Sequence, residues 1–242
     1  MESHEIIGDL FIQNFRNEIA GFRYKGLLYT PPFEPNRWAR GVRNILGVGA
    51  IPASIDHLIE LRAHLQGKDH SLNYLFSGTL RLQTGSKNER RVSFGELSLE
   101  DWQELAKYLH NDQNFVDLSR TNKDQNKVIG RLERVLTRGK HAVPENDLAF
   151  STANTTYESD PRVTAIMPTK AGLNRRIIHE TNSEWSAFVS YSRADLASKV
   201  VQVGPVGLNG RDFYGIGSVN AGDDFPNYSV ARGEAPPSAK KK

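Results

Sequence analysis

Between residues 122 and 138 the chain places Lys123, Lys127, Arg131, Arg134 and Arg138 at spacings of four, four, three and four. At about 100° per residue these five cations fall within an arc of about 80° on one side of a predicted helix. Val128, Ile129, Leu132, Val135 and Leu136 fall on the other side, as a core-facing stripe. Like charges at i, i+4 repel by roughly 0.2–0.5 kcal/mol a pair, and Asp124 and Glu133 lie only at the margins. A polyanion is the simplest partner for such a stripe, and nucleic acid is the leading class. Two other readings stand beside it. The face is solvated, or its arginines meet carboxylates of the fold; or it meets an anionic membrane, for which the apolar arc lacks Trp and Phe.

A second basic cluster, Arg37, Trp38, Arg40 and Arg43, sets three guanidinium groups at spacing three beside an indole. That combination suits phosphate contacts with base stacking. The alternative is that Trp38 anchors a loop to the core. Catalytic chemistry finds less support. No His-x-His, His-Glu-x-x-His, Gly-x-Ser-x-Gly, Gly-x-x-x-x-Gly-Lys or Gly-x-Gly-x-x-Gly pattern occurs, and His57 and His64, seven apart, need a third ligand to clasp an ion. The sequence therefore assigns no catalytic residue, metal ligand or cofactor.

The elements that must carry these clusters follow from periodicity and punctuation. Ile6, Ile7, Leu10, Phe11, Phe15 and Ile19 recur at three and four, predicting a helix over 5–20, with a strand over 22–30 after Gly21. Pro31, Pro32 and Pro35 predict a loop, and a helix starts after Pro52 with Ser54 as N-cap and Ile55, Leu58, Leu61 and Leu65 on its buried face. Residues 74–84 and 91–94 alternate around Gly85-Ser86-Lys87-Asn88, the pattern of a β-hairpin. Ser98 and Asp101 then form a capping box ahead of Trp102, Leu105, Ala106 and Leu109.

After Pro144 the texture turns β-rich, with strands expected at 148–157, 163–167, 175–179, 184–191, 200–206 and 212–219 and one helix near 193–199. The expected class is α+β: a helix-rich N-terminal part (residues 5–138) with one hairpin, a mainly antiparallel β C-terminal part and a disordered basic tail. Parts are expected at 1–140, 141–230 and 231–242, with one continuous domain over the first two, sharing a sheet, as the alternative division.

With 242 residues, 38% apolar and 24% charged, the chain can build a full core. Its last twelve residues hold four cations against one anion, which accounts for the whole net charge of +3. The absence of cysteine excludes disulfides and thiolate sites, and with no apolar leader after Met1 the expected location is the cytoplasm or the inside of a viral particle. Gly207-Leu208-Asn209-Gly210-Arg211-Asp212-Phe213-Tyr214-Gly215-Ile216-Gly217-Ser218-Val219 resembles the glycine-rich loop of CRISPR RAMP proteins. That resemblance implies a ferredoxin-like fold and an RNA-binding or RNA-processing subunit. The residues themselves lead to a non-enzymatic, sequence-tolerant RNA-binding assembly protein, such as a viral nucleocapsid or coat subunit. It would be a homo-oligomer or part of a multi-subunit assembly, with no membrane partner. A protein-interaction module without nucleic acid is the third reading.

Overall fold

The computed structural model describes residues 12–15, 19–24, 27–29, 38–47, 50–65, 75–85, 91–109, 116–117, 127, 130–135, 143–144, 154–180, 200–208, 216–218, 228–229 and 231–234. They form a mixed helix-and-strand fold. Strands β1 (Ile12–Phe15), β2 (Ile19–Tyr24) and β3 (Leu27–Tyr29) precede helix α1 (Trp38–Gly47), strand β4 (Ile51–Pro52) and helix α2 (Ile55–Leu65). Strands β5 (Leu75–Gly85) and β6 (Arg91–Gly95) lead into α3 (Leu99–Ala106) and β7 (Val116–Asp117). The basic helix, α4, is described at 127 and 130–135. After it come β8 (Val143–Pro144), a 3-10 turn (Tyr157–Ser159), α5 (Pro161–Ile166) and α6 (Ala171–Glu180). The last elements are β9 (Val200–Leu208), β10 (Ile216–Ser218), β11 (Tyr228–Ser229) and β12 (Ala231–Glu234).

One sheet runs β1-β2-β3-β12-β4 and a second runs β10-β9-β5-β6-β8, with β11 also on β5 and β7 on β9. Every pairing is antiparallel except β11 with β5. The second sheet stands between two buried clusters, as the period of two along a strand requires. Leu80, Leu82 and Val203 join Trp38, Val42, Trp102, Leu105 and Leu132 on one face. Val92 and Phe94 join Ile55, Leu58, Ile59, Val163, Ile166 and Ile177 on the other.

The joint between the sheets is a bulge in β5. Its register against β9 shifts between Phe76 and Leu80, and the residues inside the shift bond outward. Ser77 Oγ donates to the Val206 carbonyl at 2.6 Å, the Gly78 amide donates to the Ala53 carbonyl at 2.6 Å, and Thr79 Oγ1 accepts the Ile55 amide at 3.0 Å. A strand hydroxyl thus satisfies one of the orphan donors of the α2 N-terminus.

Several expectations are met and several are corrected. The hairpin is β5–β6, and Ser98 caps α3 as expected, its Oγ donating to Asp101 Oδ2 at 2.8 Å and accepting the Asp101 amide at 3.2 Å. In place of the helix expected over 5–20, residues 12–15 and 19–24 are paired strands, Ile12 opposite Phe22. β1 bonds to β2, and β2 bonds also to β3, and helical periodicity does not register such ladder partners. Residues 38–47, expected within a loop, form α1, with Trp38, Ala39, Val42 and Ile45 buried at helical spacing.

The strands expected at 163–167 and 175–179 are the helices α5 and α6. Asp160 caps α5 and Pro161 sits in its first turn, a start signal that outweighs the β-branched Val163, Thr164 and Ile166. The Asp160 carboxylate accepts from Arg162 Nε at 2.9 Å and Nη2 at 2.5 Å, and these bonds hold its carboxyl below the usual range. Residues 231–234, expected in a structureless tail, are the strand β12 between β3 and β4. Of the strand expected at 148–157, residues 154–157 are instead a turn that enters the 3-10 helix at Tyr157, and 148–153 lie outside the described residues. Those at 184–191 and the helix near 193–199 lie outside the described residues. No helix among the described residues is long and apolar enough to cross a membrane.

Candidate nucleic-acid interface

Three of the five cations expected on the basic helix fall on described residues. Lys127, Arg131 and Arg134 are all exposed, while Leu132 is buried in the cluster beneath α1 and α3. Spacings of four and three place the three cations on one side of the helix, opposite the buried leucine. The amphipathic placement is as the periodicity predicts. Lys123 and Arg138 lie outside the described residues.

The charges of the three are spent differently. Arg131 reaches α3, where its Nε is ion-paired with Asp101 and its Nη2 lies 3.6 Å from Glu100 Oε2. The Arg131 side chain is 47% exposed and that of Glu100 84%, whereas Asp101 is nearly enclosed at 9%. One guanidinium therefore compensates a carboxylate that also holds the capping box of α3. Arg134 Nε donates to the Gly130 carbonyl at 3.0 Å, one turn back on its own helix. Neither Arg134 nor Lys127 has a carboxylate at ion-pair distance among the described residues, so both present their charge to solvent.

The second cluster divides in the same way. Arg37 lies outside the described residues. Trp38 is buried, 1% exposed, with its ring edge-on to Trp102 at a centroid separation of 6.4 Å. The indole is a core anchor joining α1 to α3, and the expectation that it stacks on bases is corrected. It follows from the helix: on α1 the residues 38, 39, 42 and 45 share the inward side, and a tryptophan there contributes its large apolar area to the core. Arg40 and Arg43 share the outward side. Arg43 Nη2 donates to the carbonyl of Leu109 just past the end of α3, at the negative pole of that helix. Arg40 is exposed.

What the arrangement supplies is a helix, α3, gripped at its two ends by guanidinium groups from its neighbours, with Lys127, Arg134 and Arg40 left on the surface around it. The acidic partners of Arg131 were missed by the sequence reading. Asp101 was placed in a capping box, and its second role depends on a helix 30 residues away packing beside it. Elsewhere, Ser54 Oγ and His57 Nδ1 lie 2.5 Å apart at the start of α2, and the His57 ring tilts against Tyr29. With Ser54 buried, the pair serves the packing of α2.

No protein-family model and no curated protein matches the chain. In structure, the chain is similar to a solved protein described as the accommodation of massive sequence variation in Nanoarchaeota by the C-type lectin fold. That likeness covers 90% of this chain and 99% of the other, with a TM-score of 0.54 and 12% identity. The shared feature is the fold: this chain has a C-type lectin-like fold neighbour.

Proposed function

We propose that this protein binds nucleic acid, single-stranded RNA first, through the outward side of α4, with a C-type lectin-like body as the scaffold that holds that helix in place. The observation that supports this reading is the joint exposure of Lys127, Arg131 and Arg134 on one side of α4, with Leu132 buried behind them. Exposed cations attract phosphates irrespective of base sequence, which makes the recognition sequence-tolerant. The solved protein of similar fold is described as accommodating massive sequence variation by that fold. A framework of that kind leaves surface positions such as 127 and 134 open to be dedicated to a ligand. Assembly into a nucleocapsid- or coat-like particle belongs to the same proposal. The RAMP reading, which implies a ferredoxin-like fold, gains no support from a likeness to the C-type lectin fold.

Anisotropy of a labelled single-stranded RNA of about 20 nucleotides, titrated at several salt concentrations, tests the reading. Lys127→Gln/Arg134→Gln should weaken binding and lower the salt slope by about 0.7 for each lost phosphate contact. Its unfolding midpoint should match the parent's, because neither residue touches the core. A parent that binds no RNA even at low salt sinks the proposal. Light scattering with and without RNA reads the assembly part, and a strictly monomeric protein in both would remove it.

The second reading, a protein-interaction module without nucleic acid, is favoured by one set of contacts. Arg131 and Arg43 are engaged within the fold, and Trp38 is buried. If the parent fails to bind RNA, this reading takes its place.

A further inference from the structure

Arg131 is shared between two carboxylates that differ in almost every physical respect. Asp101 is nearly enclosed, closes the capping box of α3 and meets the Arg131 Nε. Glu100 stands largely in solvent and approaches the outer guanidinium nitrogen, Nη2, only to 3.6 Å. The first contact belongs to the fold. The second joins an exposed carboxylate to a half-exposed guanidinium, within reach of a phosphate oxygen approaching α4 from solvent. A carboxylate and a phosphate oxygen that approach the same N–H of Nη2 exclude one another.

We propose that Glu100 is an intramolecular competitor for RNA phosphate at Arg131, so that the α4 face is partly self-inhibited and Arg131 becomes a phosphate contact only when Glu100 swings aside. This rests on the nucleic-acid reading above and adds its regulation. Glu100 is suited to the part because its solvent exposure makes displacement inexpensive: exposed ion pairs are weak and screened by salt. Asp101 stays in place throughout and keeps Arg131 oriented by its Nε. Lys127 and Arg134, flanking Arg131 by one turn on either side, hold a phosphate chain in register while the exchange takes place. No bond is made or broken in the process, and the charge released on Glu100 returns to solvent.

The test is Glu100→Gln in the full chain, with Glu96→Gln as the matched control. Glu96 is exposed on the segment leading into α3 and changes the net charge by the same amount, but no contact to Arg131 is formed by it among the described residues. Binding of the same labelled RNA is measured across salt concentrations. Glu100→Gln should tighten binding by about two- to fivefold, the range expected for removing one exposed ion pair. It should also steepen the salt slope, by up to about 0.7, because the Arg131–phosphate contact that Glu100 blocks in part of the parent complexes then forms in all of them and releases its counterion. Glu96→Gln should give a smaller gain and leave the slope unchanged. Equal gains for the two variants with an unchanged slope would overturn the competitor while leaving RNA binding intact. If neither parent nor variant binds RNA, the nucleic-acid reading fails and the competitor falls with it.

Discussion

A side-chain carbon added at Gly78 would lie 2.2 Å from the Pro52 carbonyl oxygen, whereas one added at Gly130 would meet nothing within 4 Å. The two glycines sit in the two regions on which the molecule depends. Around Gly78, backbone rests on backbone: the bulge of β5 lies against β4 and the start of α2, and neither side can give way by rotating a side chain. Around Gly130, side chains of α4 make the described contacts, with Leu132 in the core and Arg131 on the carboxylates of α3. The first region admits one geometry and so transmits register from sheet to sheet. The second is adjustable, and a surface that serves a ligand is better carried by the adjustable region than by the rigid one.

The strongest way to break this contrast is Gly78→Ala. The added methyl cannot be accommodated without moving the Pro52 peptide, and a loss of about 2–3 kcal/mol is expected, read as a lower urea midpoint with an unchanged m-value. A midpoint like the parent's would mean that the joint is as compliant as α4.

Next in size is Arg131→Gln, which leaves the enclosed Asp101 without its counter-charge. Loss of a buried partner costs about 3–5 kcal/mol, but Arg131 is about half in solvent and its pair is screened accordingly. The expected loss is about 1–2 kcal/mol, with Arg131→Lys recovering part of it. Full stability in Arg131→Gln would show that the ion pair is ornamental and that all three cations of α4 are available to ligand.

Asp160 offers a comparison in pH. Arg162 holds its carboxyl below the ordinary value in the folded protein, so the unfolded chain takes up the proton first. The stabilisation is present above the ordinary carboxylate range and is lost as pH falls through the lowered folded value. Asp160→Asn should cost about 1 kcal/mol at neutral pH and show a shallower decline into acid. Parallel acid curves for parent and variant would remove Asp160 from the acid response.

The smallest effect is a gain. Gly130→Ala replaces a helix-interior glycine in open surroundings, and about 0.5–1 kcal/mol of added stability is expected in thermal unfolding. A destabilised variant would show that position 130 is as constrained as position 78.

Part of this arrangement was legible in the sequence. The exposed side of α4, the capping box at Ser98 and Asp101, and the β5–β6 hairpin are local patterns, in which residues within about seven positions decide the outcome. Where the reading failed, the deciding partner was distant. Residues 12–20 carry spacings that suit a helix, yet they lie in strands of a sheet that β3 and β12, from the other end of the chain, complete. The β-branched residues of α5 suit a strand, and only a closer weighting of Asp160 and Pro161 would have recovered the helix.

The order of charged and apolar residues along 127–135 determined which side of α4 meets water, because a helix at 3.6 residues per turn leaves that sequence no other amphipathic arrangement. Whether each exposed cation keeps its charge for a ligand was decided by what packs alongside. Arg131 and Arg134 are three residues apart and chemically identical, yet one is paired with Asp101 and the other faces solvent. The difference arises because α3 lies against one flank of the helix. The same holds for Trp38, whose neighbours in sequence suggested a nucleic-acid contact and whose neighbours in space include Trp102. Periodicity reports a direction from the helix axis, and only tertiary packing determines what stands in that direction.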